Sequence, residues 1–287
     1  MTGPLAESID ASHLFGDHVA VDRVNLCVQP GEVVGLLGAN GAGKTTLLRM
    51  LLGLLPTSAG EVRLFGAPPA RASRRRIGYV PQGLGLYEDL SPEENLRFAA
   101  ALFRSPPAAL PRDLAHASLP VGQLPLGTQR RIAFAQALSH RPELLILDEP
   151  TSGVGPLMRA RLWEVLRDAA DEGVGVLVTT HYMEEAEECD RLVILADGRV
   201  VAEGDLASIL RGERVTVVEA DDWPVALDLL EAQGQAPALV GRTLRVPGMR
   251  TEDVQRVLSS VQCRVFEAAA TLEERFVQIV SASGGAS

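Results

Sequence analysis

A chain of 287 residues has the length for one large or two modest domains and for a substantial core. With 27 basic against 37 acidic side chains the formal charge is −10, which argues against a broad nucleic-acid-binding surface. Cys27, Cys189 and Cys263 lack metal-ligand spacing and read as reduced packing residues, the N-terminus lacks the form of a signal peptide, and no run of about 18 apolar residues marks a membrane span.

Residues 7–30 read as short strands joined by turns at FGDH (15–18) and QPGE (29–32). The apolar run 33–37 has the length and content of a buried parallel strand. After it come the turn Gly38-Ala39-Asn40-Gly41-Ala42-Gly43, then Lys44, Thr45, Thr46 and a leucine-rich helix over 47–55. Strand, glycine turn, Lys-Thr and helix make a phosphate-binding loop. Glycines let successive backbone N–H groups curl around a phosphate, and the helix N-terminus adds its positive end. Lys44 would neutralise the terminal phosphates and the Thr45 hydroxyl would hold Mg²⁺. Lys44 is the only lysine in the chain, so a compact ammonium stands here where arginine is used everywhere else.

Further along, 61–65 reads as a strand, 67–76 as a surface connection and 77–82 as a strand closed by Pro81 and Gln82. From Gly83 to His140 the pattern is helical, with helices over 92–103, opened by a Ser91–Glu94 capping box, and over 127–139. Then follow a strand (144–147), a helix (157–172), a strand (174–179), a helix (183–189) and strands at 191–195 and 199–203. This alternation predicts an α/β fold with a mainly parallel sheet. The strand at 144–147 delivers Asp148 and Glu149 at its C-terminal end, where open α/β sheets bind ligands. Asp148 would reach Mg²⁺ through its water shell, and Glu149 would act as general base on the attacking water. His181, after the buried strand ending Thr179-Thr180, would donate to a γ-phosphate.

Taken together, GANGAGKTT at 38–46, YVPQ at 79–82, LLILDEP at 144–150 and TTH at 179–181 resemble the nucleotide-binding subunit of an ATP-binding cassette (ABC) transporter, over about residues 8–205. The resemblance implies a P-loop NTPase core with an antiparallel β subdomain and a helical subdomain at about 83–140. It implies that Phe15 stacks on adenine, that Gln82 senses Mg²⁺ and the attacking water while touching the membrane subunit, and that His181 is a switch histidine. The nucleotide-binding set is then Phe15, Gly38, Asn40, Gly41, Ala42, Gly43, Lys44, Thr45 and Thr46. The metal set is Thr45, Gln82 and Asp148, and Glu149, His181 and Gln82 are catalytic. A partner's Gly127 would complete the site in a head-to-tail homodimer or heterodimer holding two ATP. The subunit would be cytoplasmic, peripheral on the inner face of the cell membrane against a permease in a separate chain. It would export a drug-like, lipid or polysaccharide cargo, with no nucleic-acid partner.

Three departures from the family pattern stand out. The LSGGQ-type signature reads Leu124-Pro125-Leu126-Gly127-Thr128, similar to the LPLG turn of a bacterial exporter branch; Gly155 replaces an aspartate; and the helical subdomain is abbreviated around 104–123. Proline offers neither the serine hydroxyl nor an N–H, which leaves Gly127's N–H and the helix dipole to meet a phosphate. A hydrolytically weak partner in a heterodimer, or a soluble regulatory ATPase, are the alternative readings. Residues 206–287 read as a small α+β appendage with strands at 214–219, 238–240, 243–246 and 264–267, helices at 223–233 and 251–261, and a hairpin turn at Gly241-Arg242. Thr271-Leu272-Glu273-Glu274-Arg275-Phe276 resembles the TLEDVF-like ending of drug- and polyketide-export subunits, and 281–287 reads as a frayed tail.

Overall fold

Ala6–Phe15 (β1) and His18–Val28 (β2) pair antiparallel around the Gly16-Asp17 turn. Both are longer than the short pieces expected from the sequence. Register shifts within the pair, with Asp10 and Arg23 in left-handed backbone, interrupt the alternation that marks a strand. Residues 3–107, 110 and 118–284 are described in this computed structural model. Val33–Gly38 (β3) is buried throughout, as a Val-Gly-Leu run without polar side chains requires. Lys44–Leu51 (α1) follows; it stops short of the expected Leu55 because Gly53 adopts φ +65°. Ala59–Leu64 (β4) returns to β1 and completes a three-stranded antiparallel sheet, β2-β1-β4. The 67–76 connection contains a one-turn helix, Arg71–Arg74 (α2).

Ile77–Val80 (β5) leads to Pro92–Phe103 (α3) and Leu126–Leu138 (α4). The Ser91 hydroxyl accepts the Glu94 N–H at 3.3 Å, and the Glu94 carboxylate accepts the Ser91 N–H at 2.8 Å. Of the abbreviated stretch at 104–123, residues 108–109 and 111–117 lie outside the described residues. The chain continues as Leu144–Asp148 (β6), Pro156–Asp171 (α5), Gly175–Thr180 (β7), Met183–Ala186 (α6), Arg191–Ala196 (β8) and Arg199–Gly204 (β9). The six-stranded sheet runs β5-β6-β7-β3-β8-β9, parallel except for β9. Because β6, β7 and β3 are neighbours and parallel, the residues that leave their C-terminal ends emerge side by side. Leu47, Leu48, Met50 and Leu51 of α1 are fully buried against this sheet and β1.

The chain divides into two units, Met1–Asp205 and Leu206–Ser287. The second comprises Leu206–Leu210 (α7), Arg214–Ala220 (β10), Trp223–Glu231 (α8), Ala238–Val240 (β11), Thr243–Val246 (β12), Thr251–Val257 (α9), Cys263–Ala269 (β13) and Leu272–Gly284 (α10). Its antiparallel sheet is ordered β11-β12-β10-β13, a split β-α-β arrangement. Val218, Leu244 and Val246 pack with Ala226 and Leu230 of α8 and with Val254 and Leu258. The stretch expected to be a frayed tail is in part helical, since α10 reaches Gly284. Thr271 and Glu274 cap that helix: Glu274 accepts the Thr271 N–H at 2.7 Å and Thr271 accepts the Glu274 N–H at 3.3 Å. Glu274 also pairs with Arg245 of β12, with Nε donating at 2.5 Å. The TLEE sequence is therefore a helix cap tied to the sheet.

Candidate active site

The turn between β3 and α1 depends on backbone that only glycine supplies easily. Gly43 has φ +102°, and a Cβ there would lie 2.4 Å from the Ala20 carbonyl oxygen on β2. Lys44 follows as the first residue of α1, 6 % exposed, its ammonium donating to the carbonyls of Gly38 at 2.6 Å and Ala39 at 3.1 Å. Asn40 and Gly41 are exposed at the rim of the turn, while Ala42 is buried. Burial holds the Lys44 pKa below its ordinary value, and the charges of Glu149 and Asp148 work against that shift.

Asp148, at the end of β6, is buried and accepts hydrogen bonds from Thr45 Oγ1 at 2.9 Å and Thr179 Oγ1 at 2.8 Å. The Thr179 hydroxyl also accepts the Glu149 N–H at 2.8 Å, so one side chain of β7 orients both carboxylate residues. Glu149 takes φ +48°, a left-handed conformation that costs a non-glycine residue about 1–2 kcal/mol. Arg130 of α4 braces that turn. Its buried guanidinium donates to the carbonyls of Glu149 at 3.2 Å and Pro150 at 2.6 Å, and also to Ser152. In this conformation the Glu149 carboxylate stands 4.0 Å from Lys44 Nζ and 3.4 Å from His181 Nδ1. An oxygen-rich set of Thr45 and Asp148 beside a lone ammonium suits a hard divalent cation carrying phosphates.

The structure thus brings Gly38, Gly43, Lys44, Thr45, Asp148, Glu149 and His181 together, with Thr46 next along α1. Gln82 lies two residues beyond β5, whose last pair is Val80 with Leu147, so it leaves the sheet on the side of Glu149. Phe15 ends β1 opposite His18, half exposed, with its ring edge-on to His13 at 4.5 Å. Gly127 is the second residue of α4; its φ is not positive, and a Cβ there would stand 3.2 Å from Met158 Cγ on α5. Sequence reasoning missed Thr179 and Arg130 as organising residues. Thr179 gave a faint signal, a hydroxyl ending an otherwise apolar strand. Arg130 gave only its place in the helix after the LPLG turn.

A family model described as ABC transporter matches residues 21–152. Nod factor export ATP-binding protein I of Burkholderia thailandensis is 40 % identical over 252 residues, which cover 83 % of this chain and 79 % of the relative. The chain belongs to the ABC transporter family. It is the ATP-binding subunit of an ABC exporter, an ATPase that powers transport. A probable multidrug ABC transporter ATP-binding protein of Escherichia coli, YbhF, is 39 % identical over 211 residues, 69 % of this chain and 36 % of that protein, so the chain spans about a third of that relative. A solved ATP-binding subunit of an ABC transporter superposes with a TM-score of 0.66 at 33 % identity, covering 72 % of this chain and 92 % of that one. Among the described residues of the ABC subunit no helix is long and apolar enough to cross a membrane.

Proposed function

We propose that Glu149 is the general base of ATP hydrolysis in this ABC subunit. It takes a proton from the water that attacks the γ-phosphorus as the bond to ADP breaks. The observation that carries this reading is the placement of the Glu149 carboxylate between Lys44 and His181, with its backbone N–H held by Thr179. Lys44 and the N–H groups of the loop from Gly38 to Gly43, with Thr46, would hold the β- and γ-phosphates, and Phe15 would stack on adenine. Thr45 and Gln82, with Asp148 acting through the ion's water shell, would hold Mg²⁺, and the ion would neutralise charge on the phosphates. His181 donates to the γ-phosphate in this scheme.

The chain has one phosphate loop, so a two-ATP sandwich needs a second copy or a relative, joined head to tail through the partner's Gly127. Closure of that pair, peripheral on the inner face of the membrane, would drive a separate membrane-spanning permease. Relatives named for Nod factor export and for multidrug transport support a drug-like, lipid or polysaccharide cargo. The alternative of a weakly hydrolysing partner draws on Pro125, which supplies no side-chain cap at the start of α4. Steady-state turnover of the purified chain, alone and with its permease, separates the two.

The decisive variants are Lys44→Ala and Glu149→Gln. Lys44→Ala is expected to abolish measurable ATP binding, because the polyphosphate loses its buried cation. Glu149→Gln keeps shape and ATP binding, and its hydrolysis is expected to fall about a hundredfold or more. Near-normal turnover in Glu149→Gln overturns the assignment.

A further inference from the structure

The β6–β7 ladder ends at the pair Asp148–Thr179. Glu149 and His181 both lie beyond it, on turns where strand pairing no longer fixes their separation. A third carboxylate, Glu185 of α6, is buried beneath both turns and takes no part in the hydrolysis scheme above. One of its oxygens accepts from the hydroxyl of Thr151, two residues past Glu149 on a turn closed by the Ser152 N–H to the Glu149 carbonyl at 3.2 Å. The other accepts from the Thr180 hydroxyl at 2.7 Å, immediately before His181. Thr180 in turn accepts the Tyr182 N–H at 3.0 Å, so the main chain on both sides of His181 is fastened to the same hydroxyl. Thr151 and Thr180 are each 1 % exposed, and Arg159 Nε stands 3.0 Å from Glu185 as its counter-charge.

We propose that Glu185 is a positioning residue for hydrolysis: by holding Thr151 with one oxygen and Thr180 with the other, it sets the spacing of Glu149 and His181. A buried carboxylate is a poor way to gain stability, since apolar side chains of the same volume serve as well or better. Here each oxygen accepts from one of the two turns that flank the reactive pair, while Arg159 balances the charge. That arrangement fixes geometry, and misplacing reacting groups by about 1 Å can cost about a hundredfold in rate. The proposal rests on Glu149 being the base.

The test uses the full chain and steady-state ATPase kinetics. Thr151→Val and Thr180→Val keep shape and remove the hydroxyls; each is expected to lower kcat about tenfold or more with the KM for ATP within about twofold of wild type. Thr151→Ser, which keeps the hydroxyl and loses the methyl, is expected to restore kcat. In a Glu185→Ala background, Thr151→Val should add little, because its partner is already gone. Exposed Glu187→Gln is the control and is expected to leave kcat unchanged. Unchanged kcat in the valine variants overturns the proposal, as do full additivity with Glu185→Ala, a loss shared equally by kcat and ATP affinity, or a Ser variant as slow as Val. Glu149→Gln in the same assay judges the underlying reading separately: normal turnover there removes the base, whatever the threonine variants do.

Discussion

Gly43 and Gly155 are two glycines with opposite fates on substitution. Gly43 combines φ +102° with a β2 carbonyl where its Cβ would go, so Gly43→Ala incurs both backbone strain and overlap. Its expected cost is about 1–3 kcal/mol for the strain alone, with loss of ATP binding, read by denaturant unfolding and nucleotide titration. Gly155, at the position where the family has aspartate, caps α5 with φ −71° and ψ 164°, and nothing stands within 4 Å of a built Cβ. Gly155→Asp is expected to fit and to raise stability by a few tenths of a kcal/mol, measured the same way, as an acid meets the free N–H groups of the first turn. The phosphate loop was legible in the sequence because its chemistry is contiguous, six glycine-rich residues and then Lys-Thr. Thr179 and Arg130 were not. Their partners, Asp148 and Glu149, lie 31 and 19 residues away, and only strand order and helix docking bring them into contact.

Among the elements, α10 shows how a motif can be read without its mechanism. In sequence the TLEERF stretch resembles an exporter-like ending, yet its hydrogen bonds are those of a capping box extended onto β12. Burial pushes the Glu274 pKa up, but the hydrogen bonds from Arg245 and the Thr271 N–H outweigh it, leaving the carboxyl below its ordinary range. The folded state therefore favours the ionised form. Its stabilising contribution is full above the unfolded pKa of about 4.3 and is lost as pH falls through the lower folded value. Glu274→Gln is expected to destabilise the second unit at neutral pH, with the gap to wild type closing in acid, as followed by hydrogen exchange of α10 across pH 3–7. The parallel strands were legible from their apolar runs and lengths. The β1–β2 hairpin reads only as fragments in the sequence, since its bulges at Asp10 and Arg23 shift side chains between faces. No helix is read from the sequence over α10: 271–276 resembles a family ending, and the last turn, Ser-Ala-Ser-Gly, carries no apolar period.

At the scale of the whole molecule, the head-to-tail pair has a direct test at Gly127. Gly127→Asp would put a negative charge where the partner's γ-phosphate docks, and its Cβ would crowd Met158. ATP-driven dimerisation, followed by size exclusion with the Glu149→Gln protein as the trapped reference, is expected to fail while each monomer still binds ATP. Unchanged dimerisation would remove the LPLG turn from the shared site. Arg130 carries this further. It lies one helical turn past Gly127 on α4, and its guanidinium grips the carbonyls of Glu149, the proposed general base, and Pro150. In the proposed pair, a phosphate arriving at one active site presses on the first turn of this helix, and the far side of that turn is bolted to the other active site. The rate plotted against ATP concentration should then rise more steeply than a hyperbola, and Arg130→Met should flatten it: the two halves of the dimer would keep time with each other through a single turn of α-helix.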